Sequence, residues 1–459
     1  MSAAMATATM TTTTASMTMT ASEFPPVIIY AMCTVVPALA FLYEVTVIVF
    51  YSFWREIEFM DFLRAIIMRM YLVVVSAAVA YAAVERDMPL LPVGLFATIA
   101  TSSSVYMITR VRIDYVEGHP PQLMDGCMKD KVVLVTGANS GIGRETVRQL
   151  ATLGATVILA CRNERRAQEA IDDVKATLEL SNAGKPPSDQ LRFLEMDLSD
   201  LASVRKAAKT FLAMKLPLHC LINNAGIMMG TQRKTRDGME TMMQANHFGH
   251  FLLTMLLLPK LQATKGSRLI TLTSSTYKLS GKSFDFDDMF CEKGRSYTMF
   301  SQYQQTKLAN ILFATEFARR YPDIPSFAVH PGLVRTNVVS NMEWYMRYPD
   351  YAFGYIIALL QKTPPQGAYT TVYCAASDDP PPSGSYLVNS QVVPLNKHAE
   401  NKEVRLVKRI RLTIPLRRHL YRTTHPNPIV VVLVLVSFFC FVFCIDRTPN
   451  GCGKSVGRW

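Results

Sequence analysis

A short β-branched run that passes directly into a glycine-rich turn constrains the fold of this chain more than any other stretch. Residues 131–136 are KVVLVT, the next seven are GANSGIG, and a helical pattern begins near Gly141. β-Branched residues favour strands. A buried strand that continues through such a turn into a helix is the opening unit of a doubly wound α/β sheet. We therefore expect an α/β domain that starts with this unit.

The glycine-rich turn also predicts an anion site. Glycines allow the backbone to turn tightly and to approach a ligand closely. The helix that follows directs its free N–H groups and the positive end of its dipole at that ligand. In a strand–turn–helix context, this pattern is the fingerprint of a dinucleotide pyrophosphate site. The residues that we expect to contact the dinucleotide here are Gly137, Asn139, Ser140, Gly141, Ile142, Gly143 and Arg144.

The residue after the second predicted strand indicates which dinucleotide binds. The strand is TVILAC, residues 156–161, and Arg162 stands where an NAD site would place an acid that binds the ribose 2′-hydroxyl. The first acid after the strand is Glu164, whereas Arg162 and Arg144 can hold a 2′-phosphate. NADP (NADPH) is therefore favoured over NAD. The alternative is that both arginines are merely solvated at a helix end.

Strands and helices continue to alternate along the chain, which predicts a parallel sheet of about seven strands with helices on both faces. One helix is expected to begin after a cap at Ser199, and another to span residues 239–261. The further strands are expected within 192–197, 218–226 and 268–275, from residue 327, and at 385–388.

Small and polar residues follow several of these strands, at the edge where ligands bind in open α/β sheets. Ala225 and Gly226 leave room for a flat ring, and a Pro-Gly turn at 331–332 can approach the nicotinamide end of the cofactor. Together with Arg162, the residues expected to contact the cofactor at this edge are Asp197, Leu198, Asn224, Ala225, Gly226, Pro331 and Gly332.

A phenol and an ammonium stand four residues apart in SQYQQTKLAN, residues 301–310. Tyr303 and Lys307 share one face of a helix predicted over 303–318. A cation about 4 Å away is worth roughly 4 kcal/mol at an effective dielectric of about 20. That energy would lower the phenol pKa by about three units from about 10. Such a phenol can exchange a proton with an alcohol oxygen while a hydride moves on carbon. The spacing alone is weak evidence.

Together, the motifs TGxxxGIG, NNAG, Ser275, YxxxK and HPG, in this order and spacing, resemble those of the short-chain dehydrogenase/reductase family. Further stretches are similar to its retinol dehydrogenase-like branch and to relatives that act on long isoprenoid alcohols. These stretches are CRNERR at 161–166, NHFGHFLLT at 246–254, residues 217–238 and residues 362–373. Arg162 and the number of apolar segments depart from those relatives.

The resemblance implies a Rossmann-type fold and roles for four residues. Tyr303 would be the catalytic acid/base, and Lys307 would lower its pKa and hold the nicotinamide ribose. Ser275, as the second serine of its pair, would orient the substrate oxygen, with Ser274 as the alternative. Asn246 would hold a proton-relay water near the lysine. Because all four positions are filled, an inactive scaffold is disfavoured.

Apolar segments near the amino end predict membrane insertion. The chain is 49% hydrophobic. A tail at 1–22, expected to be disordered, precedes a membrane region at 23–115, in which three apolar stretches are each near the 20-residue length that a bilayer requires. These stretches, expected to be transmembrane helices, are 27–53, 65–84 and 88–109. The arginines that flank them place the catalytic domain, residues 116–400, on the cytosolic side.

The carboxyl end combines a basic cluster with another apolar segment. Residues 401–427 carry eight Lys and Arg side chains, which account for much of the net charge of +12. A hydrophobic anchor at 428–446 and a tail at 447–459 follow, and a full crossing or a shallow insertion is left open. A basic cluster beside an anchor predicts contact with the anionic headgroups of membrane lipid, and nucleic-acid binding is disfavoured.

The sequence therefore predicts a membrane-anchored, NADP-dependent oxidoreductase with a lipophilic substrate such as a retinoid, polyprenoid or sterol. The endoplasmic reticulum or another internal membrane is its expected location, and no oligomeric state is predicted. His247 and His250 are expected to be packing or interface residues rather than metal ligands, because no third ligand has a suitable spacing. Two alternatives stay open, a non-catalytic NADP-binding scaffold and the same chemistry on a small soluble carbonyl.

Overall fold

The computed structural model describes residues 118–180, 189–280, 284–293, 296–334, 361–396 and 399. Its strands are β1 (Val132–Thr136), β2 (Thr156–Cys161), β3 (Leu191–Glu195), β4 (Cys220–Asn223), β5 (Arg268–Leu272), β6 (Ser326–His330), β7 (Tyr386–Val388) and β8 (Gln391–Val392). Within these described residues, the eight strands form one sheet in the order β3-β2-β1-β4-β5-β6-β7-β8. Neighbouring strands are parallel from β3 to β7, and β8 is antiparallel to β7.

Helices cover the sheet on both faces. They are α1 (Gly141–Thr152), α2 (Glu164–Leu180), α3 (Leu201–Ala213), α4 (the continuous run Thr241–Met243, Gln244–Phe248 and Gly249–Ala263), α5 (Met299–Arg320) and α6 (Pro364–Ala376). Helix α1 packs against α2 and α6, whereas α3 packs against α4 and α4 against α5. A short 3-10 helix, Ser275–Ser280, follows β5. The predicted doubly wound parallel sheet is therefore confirmed.

The core lies where the two layers of helices meet the central strands. Every residue of β1 and β4 is buried, as expected for parallel strands that are covered on both faces. Val133 of β1 is in register with Val157 of β2 on one side and with Cys220 of β4 on the other. The chain order reverses between β1 and β4, which opens a crevice at their carboxyl ends.

Two details of the fold differ from the prediction. The sheet has an eighth strand, formed by a hairpin whose loop residues Asn389 and Ser390 have φ values of 52° and 61°. Such positive values are typical of the tight two-residue hairpin turn. The predicted cap of α3 at Ser199 is wrong, because the Asp200 side chain accepts the N–H groups of Ala202 and Ser203.

The predicted membrane segments and basic cluster lie outside the described residues, as do residues 1–115 and 401–459 as a whole. Among the residues that the structure does describe, no helix combines the length and the apolar character that a membrane crossing needs. The domain boundaries at 116 and 400 stay predictions.

Candidate active site

The glycine-rich turn and the turn after β4 are joined at the crevice between β1 and β4. The buried hydroxyl of Thr136 accepts hydrogen bonds from the backbone N–H groups of Asn224 and Ala225, each at 2.9 Å. The Asn224 side-chain amide donates to the Thr136 carbonyl at 2.7 Å. The two segments that sequence analysis assigned to the cofactor are therefore one hydrogen-bonded unit.

The turn between β1 and α1 has the shape of a dinucleotide cradle. Gly137 and Gly141 have φ values of 64° and 53°, in the left-handed region that side chains disfavour. A Cβ on Gly143 would collide with the Gly137 carbonyl and the Asn224 amide. Ser140 makes no side-chain cap on α1, and no acid lies in the first helical turn. The helix N–H groups are thus left to a bound anion, so the residues present fit a dinucleotide.

The residues expected near the adenosine lie beyond β2 and β3. Arg162 follows β2 directly and is exposed. The Arg144 guanidinium instead lies 3.9 Å from the Glu145 carboxylate and 3.7 Å from that of Asp173. Asp197 accepts hydrogen bonds from both the backbone and the hydroxyl of Ser199, so its carboxylate is oriented by its own loop. Of the two arginines, Arg162 is therefore the one that no acid among the described residues pairs with.

Tyr303 and Lys307 lie on one face of α5, at the other side of the crevice. The helix is capped by the Thr298 hydroxyl, which accepts the Ser301 N–H. The Lys307 ammonium lies 5.3 Å from the centre of the Tyr303 ring and donates to the Leu272 carbonyl at 3.4 Å. These contacts bring phenol and amine together at the end of β5.

The electrostatics of this pair differ from the prediction. Burial raises the pKa of Tyr303 to about 12 and lowers the pKa of Lys307 to about 8. The expected lowering of the phenol pKa by the ammonium is therefore not seen in this state of the protein. Loss of hydration disfavours the charged form of each group, and for the phenol it outweighs the attraction of a cation on the ring face. The phenol consequently holds its proton at neutral pH.

Asn246 lies in a π-helical turn, Gln244–Phe248, within α4. Its side-chain oxygen accepts the Ile227 N–H at 2.8 Å, and its amide donates to the Ile227 carbonyl at 2.9 Å and to the Thr306 hydroxyl at 3.2 Å. A π turn changes which side chains face a given direction. The asparagine thus braces the loop after β4 against α5, and its predicted role in holding water stays a prediction.

His250 connects the two halves of the crevice, a role that sequence analysis missed. Its Nε2 lies 2.8 Å from the Thr136 hydroxyl, and its Nδ1 lies 3.0 Å from the Asn246 carbonyl. Because that hydroxyl already accepts two N–H groups, it must donate to Nε2, and Nδ1 then carries the proton. Burial lowers the pKa of His250 to about 3, which keeps it neutral. In the sequence, the threonine of the TGxxxGIG motif, Thr136, is the one signal that could have indicated this contact.

His247 packs as expected. Its Nδ1 lies 3.1 Å from the Asn310 side-chain oxygen, and its ring meets those of Phe248 and Phe313 edge-on. Hydrogen bonds and ring contacts therefore account for the placement of both histidines of α4.

The two serines after β5 lie in different surroundings. The Ser275 hydroxyl is buried and lies 2.9 Å from Nε2 of His330. Ser274 is partly exposed, and its hydroxyl accepts the Thr276 N–H at 3.3 Å. Ser274 is thus the more exposed residue of the pair, and the choice between Ser275 and Ser274 for the substrate oxygen stays a prediction. His330 was missed there, although the HPG motif contains it.

The Pro-Gly turn is supported by a buried lysine that sequence analysis also missed. Gly332 has a φ of 92°, and a Cβ there would meet the aliphatic carbons of Lys362 at 2.7–2.8 Å. Lys362 is 3% exposed, and its ammonium donates to the Asn389 side chain at 2.7 Å. The glycine therefore permits the close approach of this side chain to the turn.

The geometry above can be compared with known proteins. The family described as short chain dehydrogenase matches residues 131–284. Mouse polyprenol dehydrogenase is 38% identical over 282 residues, which cover 60% of this chain and 78% of that protein. The chain belongs to the short-chain dehydrogenase family. Human retinol dehydrogenase 11 is 39% identical over 277 residues, with 60% and 82% of the two chains covered. The predicted resemblance to the retinol dehydrogenase-like branch is thereby confirmed.

A solved structure of this fold gives a further comparison. The crystal structure of an uncharacterised protein from Mycobacterium paratuberculosis has a TM-score of 0.50 and 29% identity, and the match covers 64% of this chain and 98% of that one. Membership of the short-chain dehydrogenase family makes this protein an NAD(P)-dependent oxidoreductase that acts on CH–OH and C=O groups.

The loop after β4 and the segment that leads into α5 contain buried apolar residues and are joined by hydrogen bonds to backbone carbonyls. The Tyr297 hydroxyl donates to the Met229 carbonyl at 3.0 Å. The Gln232 amide donates to the carbonyls of Phe290 and Cys291 at 2.9 and 3.0 Å. These bonds fix the loop after β4 to the segment that leads into α5. Buried apolar side chains in the two segments are Met228, Phe284, Met289 and Cys291.

Proposed function

We propose that this protein is a membrane-anchored, NADP-dependent oxidoreductase that transfers a hydride between nicotinamide and the alcohol or carbonyl carbon of a lipophilic substrate. The observation that carries the proposal is the Tyr303–Lys307 pair at 5.3 Å, across the crevice from the glycine-rich cradle. A Cβ placed on Gly226 would lie 3.4 Å from the Lys307 ammonium, so the amine reaches the turn that is joined to the cradle.

In the proposed mechanism, side chains of the protein transfer the proton, and the nicotinamide cofactor, when bound, supplies the hydride acceptor or donor. Tyr303, which holds its proton at neutral pH, donates it to the carbonyl oxygen in reduction and recovers it in oxidation. The Lys307 ammonium would hold the ribose hydroxyls of a bound cofactor and would stabilise the phenolate that reduction leaves on Tyr303. Asn246 keeps the loop after β4 in place against α5.

We propose that Ser275 orients the substrate oxygen, as the second serine of its pair does in the family pattern, with Ser274 as the alternative. The Ser275 hydroxyl lies 2.9 Å from Nε2 of His330. Because a hydroxyl has one donor and two acceptor sites, this single bond leaves Ser275 able to bind a substrate oxygen.

The preference for NADPH is proposed to depend on Arg162. Arg162→Ala should raise the KM for NADPH about tenfold to a hundredfold, as expected for loss of a charged hydrogen bond, and leave the KM for NADH nearly unchanged. Steady-state kinetics with each cofactor measures this. Arg192→Ala is the control, because Arg192 pairs with Asp189 at the amino end of β3. An equal loss with NADH would contradict the assignment.

The lipophilic substrate is supported by the relatives named for retinol and polyprenol and by the apolar segments before α5. A retinoid, a polyprenoid or a sterol would suit such surroundings. We expect the protein, reconstituted in anionic vesicles, to oxidise NADPH with retinal, a polyprenal or a sterol ketone. The same assay with a small soluble carbonyl is the comparison. Equal or faster turnover of the soluble compound would favour the alternative that the enzyme acts on a small soluble carbonyl.

Membrane anchoring and location are proposed from the sequence alone. Residues 23–115 and 428–446 would insert, the basic segment 401–427 would contact anionic headgroups, and the catalytic domain would face the cytosol. The endoplasmic reticulum or another internal membrane is the proposed site. Extraction of the protein from microsomes by alkaline carbonate would contradict an integral anchor.

A further inference from the structure

A buried ammonium lies against the Pro-Gly turn at the carboxyl end of β6. Lys362 is 3% exposed, and a Cβ placed on Gly332 would lie 2.7 Å from its Cε and 3.4 Å from its Nζ. The backbone N–H of Lys362 donates to the Leu333 carbonyl at 2.7 Å, and Lys362 also forms a parallel bridge with Val334. Both the backbone and the side chain of the lysine therefore attach it to this turn.

The β7–β8 hairpin holds the ammonium in place. Nζ of Lys362 donates to the side-chain oxygen of Asn389 at 2.7 Å, and Asn389 has a φ of 52° in the hairpin turn. The hairpin is in turn fixed to β6, because Val388 is in register with His330. Since the acceptor is a neutral amide, this hydrogen bond positions the charge of the lysine without cancelling it.

The imidazole of His330 reports the electrostatic potential at this end of the sheet. Burial, followed by the cations of Lys362, Lys278 and Lys307 in that order, lowers the pKa of His330 to about 3. Among these three cations, Lys362 has the largest effect on the histidine. The Lys307 ammonium also lies 3.4 Å from the position of a Cβ on Gly226, in the turn after β4. A positive potential thus extends along the edge where the nicotinamide is proposed to lie.

The two redox forms of the proposed cofactor differ by one charge at the nicotinamide ring. The ring of NADP+ is positively charged and the ring of NADPH is neutral, whereas the pyrophosphate and the 2′-phosphate are the same in both. A fixed cation attracts the phosphates of both forms equally but repels the ring of NADP+ alone. The ratio of the two affinities therefore isolates the effect of the cation on the ring.

We propose that Lys362 determines specificity for the redox form of the cofactor, so that the protein binds NADPH more tightly than NADP+. This inference rests on the proposed function, which places the nicotinamide beside the Pro-Gly turn. Tighter binding of the reduced form also raises the reduction potential of the bound couple. A fivefold contribution to the affinity ratio corresponds to about 20 mV, at about 30 mV per tenfold for a two-electron couple.

The test measures the dissociation constants of NADPH and NADP+ by titration of the full-length protein. Lys362→Gln removes the charge and keeps an amide that can donate to Asn389. Its ratio of the NADP+ constant to the NADPH constant should fall about fivefold, the order expected for one partly screened charge. Asn389→Asp leaves the lysine in place and sets a carboxylate against its ammonium. It should lower the same ratio by a similar factor, which a purely structural role of the lysine does not predict.

Two controls separate the charge effect from a general loss of binding. Affinity for 2′,5′-ADP, which lacks the nicotinamide, should stay within about twofold of the wild-type value in both variants, as for a substitution remote from the ligand. Lys131→Gln removes an exposed lysine just before β1, at the opposite, amino edge of the sheet, and should leave the ratio unchanged. NAD+ and NADH should show the same shift in ratio, because their rings carry the same charges.

An unchanged ratio in both Lys362→Gln and Asn389→Asp would overturn the inference. So would equal losses of affinity for NADPH, NADP+ and 2′,5′-ADP, or wild-type binding of NADP+ as tight as that of NADPH. If the wild-type protein binds both forms but turns over no carbonyl, the proposed function fails and the affinity ratios still decide the role of Lys362. If it binds neither form, both fail. If Lys362→Gln does not fold, Asn389→Asp decides.

Discussion

Replacing Tyr303 by phenylalanine should lower kcat by about 10²–10⁴-fold while NADPH affinity and folding are retained. The substitution removes only the phenolic oxygen, so the packing of the half-buried ring on α5 is kept. At neutral pH, which lies below the pKa values of about 12 for Tyr303 and about 8 for Lys307, both groups hold their protons. The variant therefore lacks the proton that the carbonyl oxygen needs. NADPH oxidation, cofactor binding and thermal unfolding measure the three quantities.

A matched control lies at the other end of the same helix. Tyr321→Phe also removes one phenolic oxygen, but Tyr321 is the carboxyl-terminal cap of α5 and its ring packs on Phe317. Its kcat should stay within about twofold of the wild-type value, as for a substitution that touches no substrate. If Tyr303→Phe kept a tenth or more of wild-type turnover, the phenol would not be the acid. If the wild-type protein bound NADPH tightly but turned over nothing, the scaffold alternative would gain support.

Replacing Gly143 by alanine should abolish measurable cofactor binding and lower the free energy of unfolding by about 1–3 kcal/mol. The added Cβ would meet the Gly137 carbonyl and the Asn224 side-chain amide, and the former is backbone that cannot rotate away. Relief of the collision must move α1 away from the turn, which widens the cradle that receives the pyrophosphate. Titration with NADPH and denaturant unfolding of the full-length protein measure both effects.

Gly226→Ala is the comparison for this prediction. A Cβ at Gly226 would lie 3.4 Å from the Lys307 ammonium and 3.8 Å from the Asn246 side-chain oxygen, which are ordinary contact distances. Its unfolding free energy should therefore stay within about 0.5 kcal/mol of the wild-type value. Wild-type NADPH affinity in Gly143→Ala would show that the turn can open without cost, and would contradict the cradle.

The part of the site that sequence analysis could predict is the part that local motifs encode. The turn from β1 to α1 needs glycine because of its own backbone angles. The contiguous stretch KVVLVTGANSGIG is therefore enough to predict this turn. The spacing of Tyr303 and Lys307 likewise fixes their common face through helix geometry alone. In both cases the structure depends on contacts a few residues apart.

What could not be predicted depends on partners far apart in the chain. The bond between Ser275 and His330 crosses 55 residues, and the one between Thr136 and His250 crosses 114. No local pattern specifies either. The direction of the Tyr303 pKa shift needed knowledge of burial, because a nearby cation and lost hydration act in opposite directions. The eighth strand is two residues long, too short for any alternation to appear.

The saturated hydroxyl of Thr136 has a consequence for redesign of the cofactor preference. That single oxygen accepts two backbone N–H groups and donates to His250, which in turn holds the Asn246 carbonyl. A glycine-rich loop transplanted from another enzyme would break these hydrogen bonds unless it also had a hydroxyl at the position of Thr136. Mutations in the pyrophosphate loop and in the asparagine-bearing helix should thus show strong epistasis. Substitutions intended to change the nucleotide preference should be better tolerated at Arg162, which is exposed and takes no part in these hydrogen bonds.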